Sequence, residues 1–87
     1  MKIITIKDMI RKDVPIYYRR LYTGVVSIEI REKAEDYRID FAIEAKPTGQ
    51  RDISVTYIDK VDYPLIPLNQ EIRNYIDELD SVGGLPD

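Results

Sequence analysis

The sequence predicts an α+β domain in which a C-terminal helix covers one face of a four-stranded antiparallel sheet. Three observations predict this fold. The chain has 87 residues, which suits one domain with one modest core, so we expect residues 1–87 to form a single domain. Apolar and polar residues alternate along most of the middle, as in strands with one buried face. Apolar residues then recur every three or four positions near the C-terminus, as in an amphipathic helix.

The first element is predicted to be a short helix over residues 6–12. Thr5 suits an N-cap, and Asp8 three residues later completes a variant of the capping box. Pro15 disfavours helix at the preceding residue, so the helix is expected to end before it. Three apolar residues follow helical spacing: Ile6, Met9 and Ile10.

Four strands are predicted next, over residues 16–22, 25–31, 37–45 and 53–62. Gly24, the charged residues 32–36 and the turn-forming residues 46–51 separate them. Short connections of this kind predict an antiparallel meander. We expect strand 16–22 to lie at an open edge of the sheet.

The last element is predicted to be a helix over residues 69–81. Pro64 and Pro67 are expected to end the preceding strand, and Asn69 is expected to cap the helix. Gly83 and Gly84 favour a stop, which leaves residues 83–87 as a flexible tail. The apolar stripe that would cover the sheet follows helical spacing: Leu68, Ile72, Tyr75, Ile76 and Leu79.

Composition excludes most catalytic classes. The chain has no cysteine and no histidine, which removes thiolate and imidazole ligands and the commonest general base. No phosphate-binding glycine loop and no calcium loop occurs. We therefore predict a small acidic protein with no enzyme activity and with no catalytic, cofactor-binding or metal-binding residue. A carboxylate-based enzyme stays an alternative, and it would need a pocket that holds at least two of four residues: Tyr57, Asp59, Asp62 and Tyr63.

The charge is distributed unevenly. Residues 1–31 hold seven Lys/Arg and three Asp/Glu (+4), and residues 32–87 hold six and thirteen (−7), which together give the net charge of −3. The acidic total disfavours phosphate binding, although the basic N-terminal part keeps it as an alternative. No apolar run resembles a signal peptide or a membrane span, so we expect a cytoplasmic protein with no membrane partner.

One basic and tyrosine-rich segment is the main candidate for binding. Tyrosines interleaved with arginines contact protein partners or stack on nucleic-acid bases, and they also occur in ordinary amphipathic strands. The candidate residues of this segment are Arg11, Lys12, Tyr17, Tyr18, Arg19, Arg20 and Tyr22.

Four acidic residues also stand out. Asp77, Glu78 and Asp80 lie near a helix C-terminus, where the dipole disfavours anions, so they form either a patch for a basic partner or a solvated face. Asp59 falls in the inward register of its strand, which predicts either a bulge or a carboxylate held at the rim of the core.

These observations lead to one main hypothesis. The sequence predicts a non-enzymatic protein-interaction or accessory module, which binds a protein partner or a second copy by strand addition at edge 16–22. The alternative is a nucleic-acid-binding module that uses the basic and tyrosine-rich strand.

Overall fold

The computed structural model describes all residues, 1–87. In chain order its elements are β1 (Lys2–Lys12), β2 (Arg19–Ile30), β3 (Lys33–Ala45), β4 (Arg51–Tyr57) and α1 (Leu65–Ser81). The strands form one antiparallel sheet in the order β1-β2-β3-β4. The predicted α+β class, the four-stranded antiparallel sheet and the C-terminal helix are confirmed.

The predicted N-terminal helix is wrong, because residues 2–12 form strand β1. The pairing of β1 with β2 shifts register twice, once between Ile3 and Thr5 and once between Lys7 and Ile10. At the second shift Asp8 has φ of +53°. An extra residue at a bulge lets side chains three apart reach the same side of a strand. This explains how Ile6 and Met9 mimic helical spacing while both contact the core.

The two strands predicted over 16–22 and 25–31 are one continuous strand, β2, and residues 13–18 form the β1–β2 loop. Gly24 is not a break. It is buried within β2, and a Cβ there would lie 3.2 Å from Cγ2 of Ile6 and 3.3 Å from Cγ of Met9. Glycine at this position therefore admits the bulged strand β1. β2 pairs with β1 on one side and β3 on the other, so the predicted open edge at 16–22 is wrong.

The other boundaries also move. Residues 33–36 belong to β3, because the β2–β3 hairpin turn needs only Arg31 and Glu32, which have φ of +52° and +66°. β4 ends at Tyr57 rather than at residue 62. The helix begins at Leu65 with Pro64 at its N-cap, so Asn69 is not the cap. Proline is tolerated in the first turn because the N–H groups there have no intrahelical acceptor.

The core lies between α1 and one face of the sheet. Leu68, Ile72 and Ile76 of the helix are fully buried against strand residues, as the helical stripe predicted. The strand members of the core are Ile6, Tyr22, Val26, Ile28, Tyr37, Ile39, Phe41 and Ile43. The opposite sheet face has no second layer and is called the open face below. Leu85 also packs against the core, while the flexibility predicted for 83–87 stays a prediction.

The polar character of α1 has one consequence for membrane topology. The chain contains no helix with the length and apolarity that crossing a bilayer requires.

Candidate interaction surface

Tyr22, a predicted contact residue, is part of the core. Its side chain is 1% exposed and stacks on Phe41 with ring centroids 4.9 Å apart. Its hydroxyl accepts a hydrogen bond from Nη1 of Arg20 at 3.2 Å. Because Tyr22 and Phe41 are opposite residues of β2 and β3 on the face under α1, Tyr22 is not accessible to a partner.

Arg20 binds the C-terminal turn of α1. Its two terminal nitrogens each donate to Asp80 at 2.9 Å. Arg51 of β4 donates to Asp80 and to Asp77, both at 2.6 Å. The predicted basic segment and the predicted acidic patch thus meet inside the molecule, where two sheet arginines neutralise the acids that the helix dipole disfavours. Of the three predicted acids, Glu78 has no hydrogen bond or ion pair to a cation.

Arg51 was missed at the sequence level. It follows the turn residues 46–50 and resembles an ordinary polar strand terminus. The signal that identifies it is the register, since Ala45 and Arg51 are opposite residues that share the helix-covered face at the end of the β3–β4 hairpin. That register cannot be obtained from residues 46–51 alone.

Charged pairs cross the open face. Lys12 of β1 lies 3.3 Å from Asp40 of β3, so the pair spans β2. Arg19 donates to Glu44 at 3.0 Å in a directly opposed pair. Two predicted cations of the basic segment are therefore already bound to carboxylates. Exposed pairs of this kind contribute little to stability, but they reduce the positive field available to phosphate.

A shallow depression of about 190 Å³ lies among these pairs. Its apolar lining includes Leu21 and Ala42, and Ser54 and Thr56 of β4 add hydroxyls. Drug-sized ligands occupy clefts of roughly 300–1,000 Å³. The open face therefore offers a surface for contact more than a cleft for a substrate.

The β1–β2 loop carries the most exposed aromatic side chains. Tyr17 is 97% exposed and Tyr18 is 49% exposed, and their rings meet edge to face with centroids 5.8 Å apart. Ile16 beside them is also exposed. Arg11, at the β1 end of this loop, takes part in none of the ion pairs. Among the seven predicted contact residues, Tyr17, Tyr18 and Arg11 are the ones that no other element engages through a side-chain hydrogen bond or ion pair.

Asp59 lies just beyond the end of β4. Its carboxylate accepts from the backbone N–H of Arg38 at 2.8 Å and from the Arg38 side chain at 2.6 Å. The hydrogen bonds from Arg38 lower the pKa of Asp59 below its ordinary value. The predicted inward register ends where β4 ends, and the carboxylate ties the chain to the β3 edge instead.

The residues named for a carboxylate enzyme are divided. Asp62 and Tyr63 line a wide groove of about 630 Å³ that also contains Arg31, Lys33 and Glu35. Tyr57 instead donates to Asn69 of α1, and burial raises its pKa. The groove holds two of the four named residues, so the enzyme hypothesis stays a prediction. No three acidic side chains cluster in a way that suits a metal ion.

Comparison with known proteins gives a family. No curated protein matches the chain, and no solved structure matches it. One family model, that of the BB_0187 proteins, matches residues 1–81, which include all four strands and α1. The chain therefore belongs to the BB_0187 family.

Proposed function

We propose that this domain is a protein-interaction module that binds a partner protein through the β1–β2 loop. The observation that carries the proposal is the almost complete exposure of Tyr17 beside Tyr18. Tyrosines are enriched among the residues that dominate protein interfaces, because they bury a large area and lose few rotamers on binding. Within its own chain, the one aromatic ring that Tyr17 contacts is that of Tyr18.

The loop is held in place, which favours binding. The carbonyl of Tyr18 accepts a hydrogen bond from the N–H of Ala45 at 2.8 Å, and the carbonyl of Ile16 accepts one from the N–H of Arg19 at 3.4 Å. These bonds connect the loop to β3 and to the start of β2. A preorganised loop loses less conformational entropy when a partner binds.

The charge beside the tyrosines defines the partner. Arg11 has no acidic partner in the chain, while Lys12 shares its charge with Asp40. We therefore expect the partner to offer an apolar pocket for Tyr17 with carboxylates at its rim. Opposite charges at a rim speed association and fix the orientation of the complex more than they add affinity.

The test is affinity capture with matched variants. The tagged protein, Tyr17→Ala and the double variant Tyr17→Ala/Tyr18→Ala are used with nuclease-treated lysate of the source cells. Ile66→Ala is the control, because it removes an 85% exposed isoleucine from α1. We expect a partner that the unchanged protein and the control recover equally, and that the tyrosine variants recover at least about tenfold less.

Circular dichroism and thermal unfolding establish that the variants are folded, as expected for changes at exposed positions. Equal recovery of every partner by the tyrosine variants would exclude the loop as the interface. The nucleic-acid alternative is weaker, because Lys12, Arg19 and Arg20 are bound to carboxylates. Its test is given in the Discussion.

A further inference from the structure

The two edges of the sheet differ in regularity. β1 is interrupted by two register shifts, and such bulges obstruct pairing with another strand. β4 pairs with β3 without a shift over its whole length, from Arg51 to Tyr57, and contains no proline. Its outer edge is therefore a regular template onto which a further strand can add.

The ladder identifies the backbone groups on that outer edge. The N–H of Lys46 donates to the carbonyl of Gln50 at 2.9 Å, and the N–H of Ile58 donates to the carbonyl of Arg38 at 3.0 Å. The direction of hydrogen bonding alternates along an antiparallel strand, so the even-numbered residues of β4 bond to β3. The N–H and C=O groups that point outward belong to the odd-numbered residues: Arg51, Ile53, Val55 and Tyr57.

We propose that two copies of the chain pair through this edge, β4 against β4 in antiparallel orientation, with a twofold axis at Ser54. This register uses the full length of β4, and a shift in either direction shortens the ladder. It places Ile53 opposite Val55 of the second copy, and Asp52 opposite Thr56 of the second copy. No like charges are opposed, and the outward groups of the two strands meet each other.

The apolar side chains at this edge favour the pairing. Ile53, Val55 and Tyr57 contact the core but are only partly buried, since no further strand lies beside them. In the pair, Ile53 gains Val55 of the second copy as a neighbour under the helix layer. Apolar surface that one chain exposes to water becomes buried, which is the main driving force of association.

The helix adds complementary charge. α1 runs antiparallel to β4, because Arg51 binds Asp77 near one end and Tyr57 binds Asn69 near the other. A groove of about 370 Å³ between them is lined by Arg51, Asp52, Ile53, Gln70, Arg73, Asn74 and Asp77. The twofold axis brings two such grooves face to face and reverses the helix direction. Arg73, the only cation of α1, then lies about one helical turn from Asp77 of the second copy.

A charge exchange at the axis tests the register. Ser54 is exposed on the open face, so Ser54→Lys and Ser54→Glu each leave the fold intact and oppose two like charges in the pair alone. We expect sedimentation equilibrium to show a dimer for the unchanged protein and at least tenfold weaker dimerisation for each variant. An equimolar mixture of the two variants is expected to form a dimer again, because lysine then faces glutamate.

Ala34→Lys is the matched control, since it adds the same charge at an exposed position on β3 that has no β4 partner. It is expected to dimerise like the unchanged protein. Amide exchange gives a second measurement. The N–H groups of Ile53 and Val55 are expected to be protected in the dimer and to exchange fast in Ser54→Lys, while the N–H of Thr56, which bonds to β3, stays protected in both.

The proposal is overturned if the unchanged protein is monomeric throughout a dilution series, if Ser54→Lys dimerises as well as Ala34→Lys, or if the mixture fails to recover. The experiment is separate from the test of the β1–β2 loop. Tyr17→Ala is expected to leave the dimer intact, so failure of one proposal is distinguishable from failure of the other.

Discussion

Asp80 accepts hydrogen bonds from both terminal nitrogens of Arg20, each at 2.9 Å, and a further bond from Arg51 at 2.6 Å. Its side chain is only 11% exposed. A bidentate pair between arginine and carboxylate is among the stronger polar contacts in proteins, and partial burial protects it from screening. Asp80 therefore connects the last turn of α1 to β2 and to β4.

Replacement of Asp80 by asparagine is expected to lower the free energy of unfolding by about 2 kcal/mol, because the charged hydrogen bonds of Arg20 are weakened. Asp77→Asn is the matched control. The side chain of Asp77 is more than half exposed and binds Arg51 alone, so its loss is expected to cost less than about 0.5 kcal/mol. Urea unfolding of both variants measures the difference, and equal losses would contradict the assigned role of Asp80.

The same contacts predict how stability depends on pH. Hydrogen bonds from Arg20 and then Arg51 hold the pKa of Asp80 below its ordinary value of 3.8. Lys7 and Ser27 lower the pKa of Asp36 in the same way. A carboxyl with a lower pKa in the folded state binds protons more tightly in the unfolded chain, so acid favours unfolding.

The stabilisation is therefore complete above the ordinary pKa and is lost as pH falls through that value and then through the folded pKa. We expect the urea midpoint to be steady near neutral pH and to decrease below about pH 4. Asp80→Asn is expected to have a shallower acid slope than the unchanged protein. A midpoint that stays constant or rises in acid would contradict this prediction.

The β2–β3 turn contains two residues in an unfavourable backbone conformation. Arg31 and Glu32 both have positive φ, which defines a type I′ turn, and neither is a residue type that prefers it. Arg31→Asn/Glu32→Gly is expected to raise the free energy of unfolding by about 1 kcal/mol. Lys33→Gly, one residue later in β3, is the control and is expected to destabilise, because glycine weakens a strand. Chemical unfolding that ranks the two variants in the opposite order would disprove the assignment.

The sequence predicts the elements whose side chains follow one regular period. Alternation identified the inward residues of β3, such as Tyr37, Ile39 and Phe41, and helical spacing identified Leu68, Ile72 and Ile76. These patterns are local, and burial on one face imposes them directly. β1 was mistaken for a helix because its bulges change the period, and a bulge is defined by the partner strand rather than by its own residues.

The site was predictable in part for the same reason. The sequence identified tyrosines and arginines as a group, but it could not separate exposed Tyr17 from buried Tyr22 without the end of the loop and the start of β2. Pairs such as Arg20 with Asp80 join distant parts of the chain. Their existence depends on the strand order and on where α1 crosses the sheet, which no local pattern contains.

Nucleic-acid binding is expected to be absent at physiological salt. The net charge is −3, and the cations of the basic segment other than Arg11 are bound to carboxylates. Fluorescence anisotropy with single-stranded and duplex oligonucleotides at about 0.15 M salt measures this directly. Tight binding that weakens steeply as salt rises, and that Arg11→Gln reduces, would instead support the nucleic-acid alternative.

Gly24 is expected to be intolerant of a larger side chain, because the bulged part of β1 lies against its Cα. Gly24→Val would press on Cγ2 of Ile6 and on Cγ of Met9, and we expect it to lower the free energy of unfolding by about 2 kcal/mol. Thr23→Val, on the open face of the same strand, is the control and is expected to change it by less than about 0.5 kcal/mol.

A double-mutant cycle identifies the cause. Met9→Ala makes room beside Gly24, so Gly24→Val is expected to cost about 1 kcal/mol less in that background than in the unchanged protein. The four proteins of the cycle are compared by urea unfolding with a common slope. If valine costs as much in the Met9→Ala background as in the unchanged protein, contact with Met9 does not exclude larger residues, and the explanation of Gly24 by the β1 bulge fails.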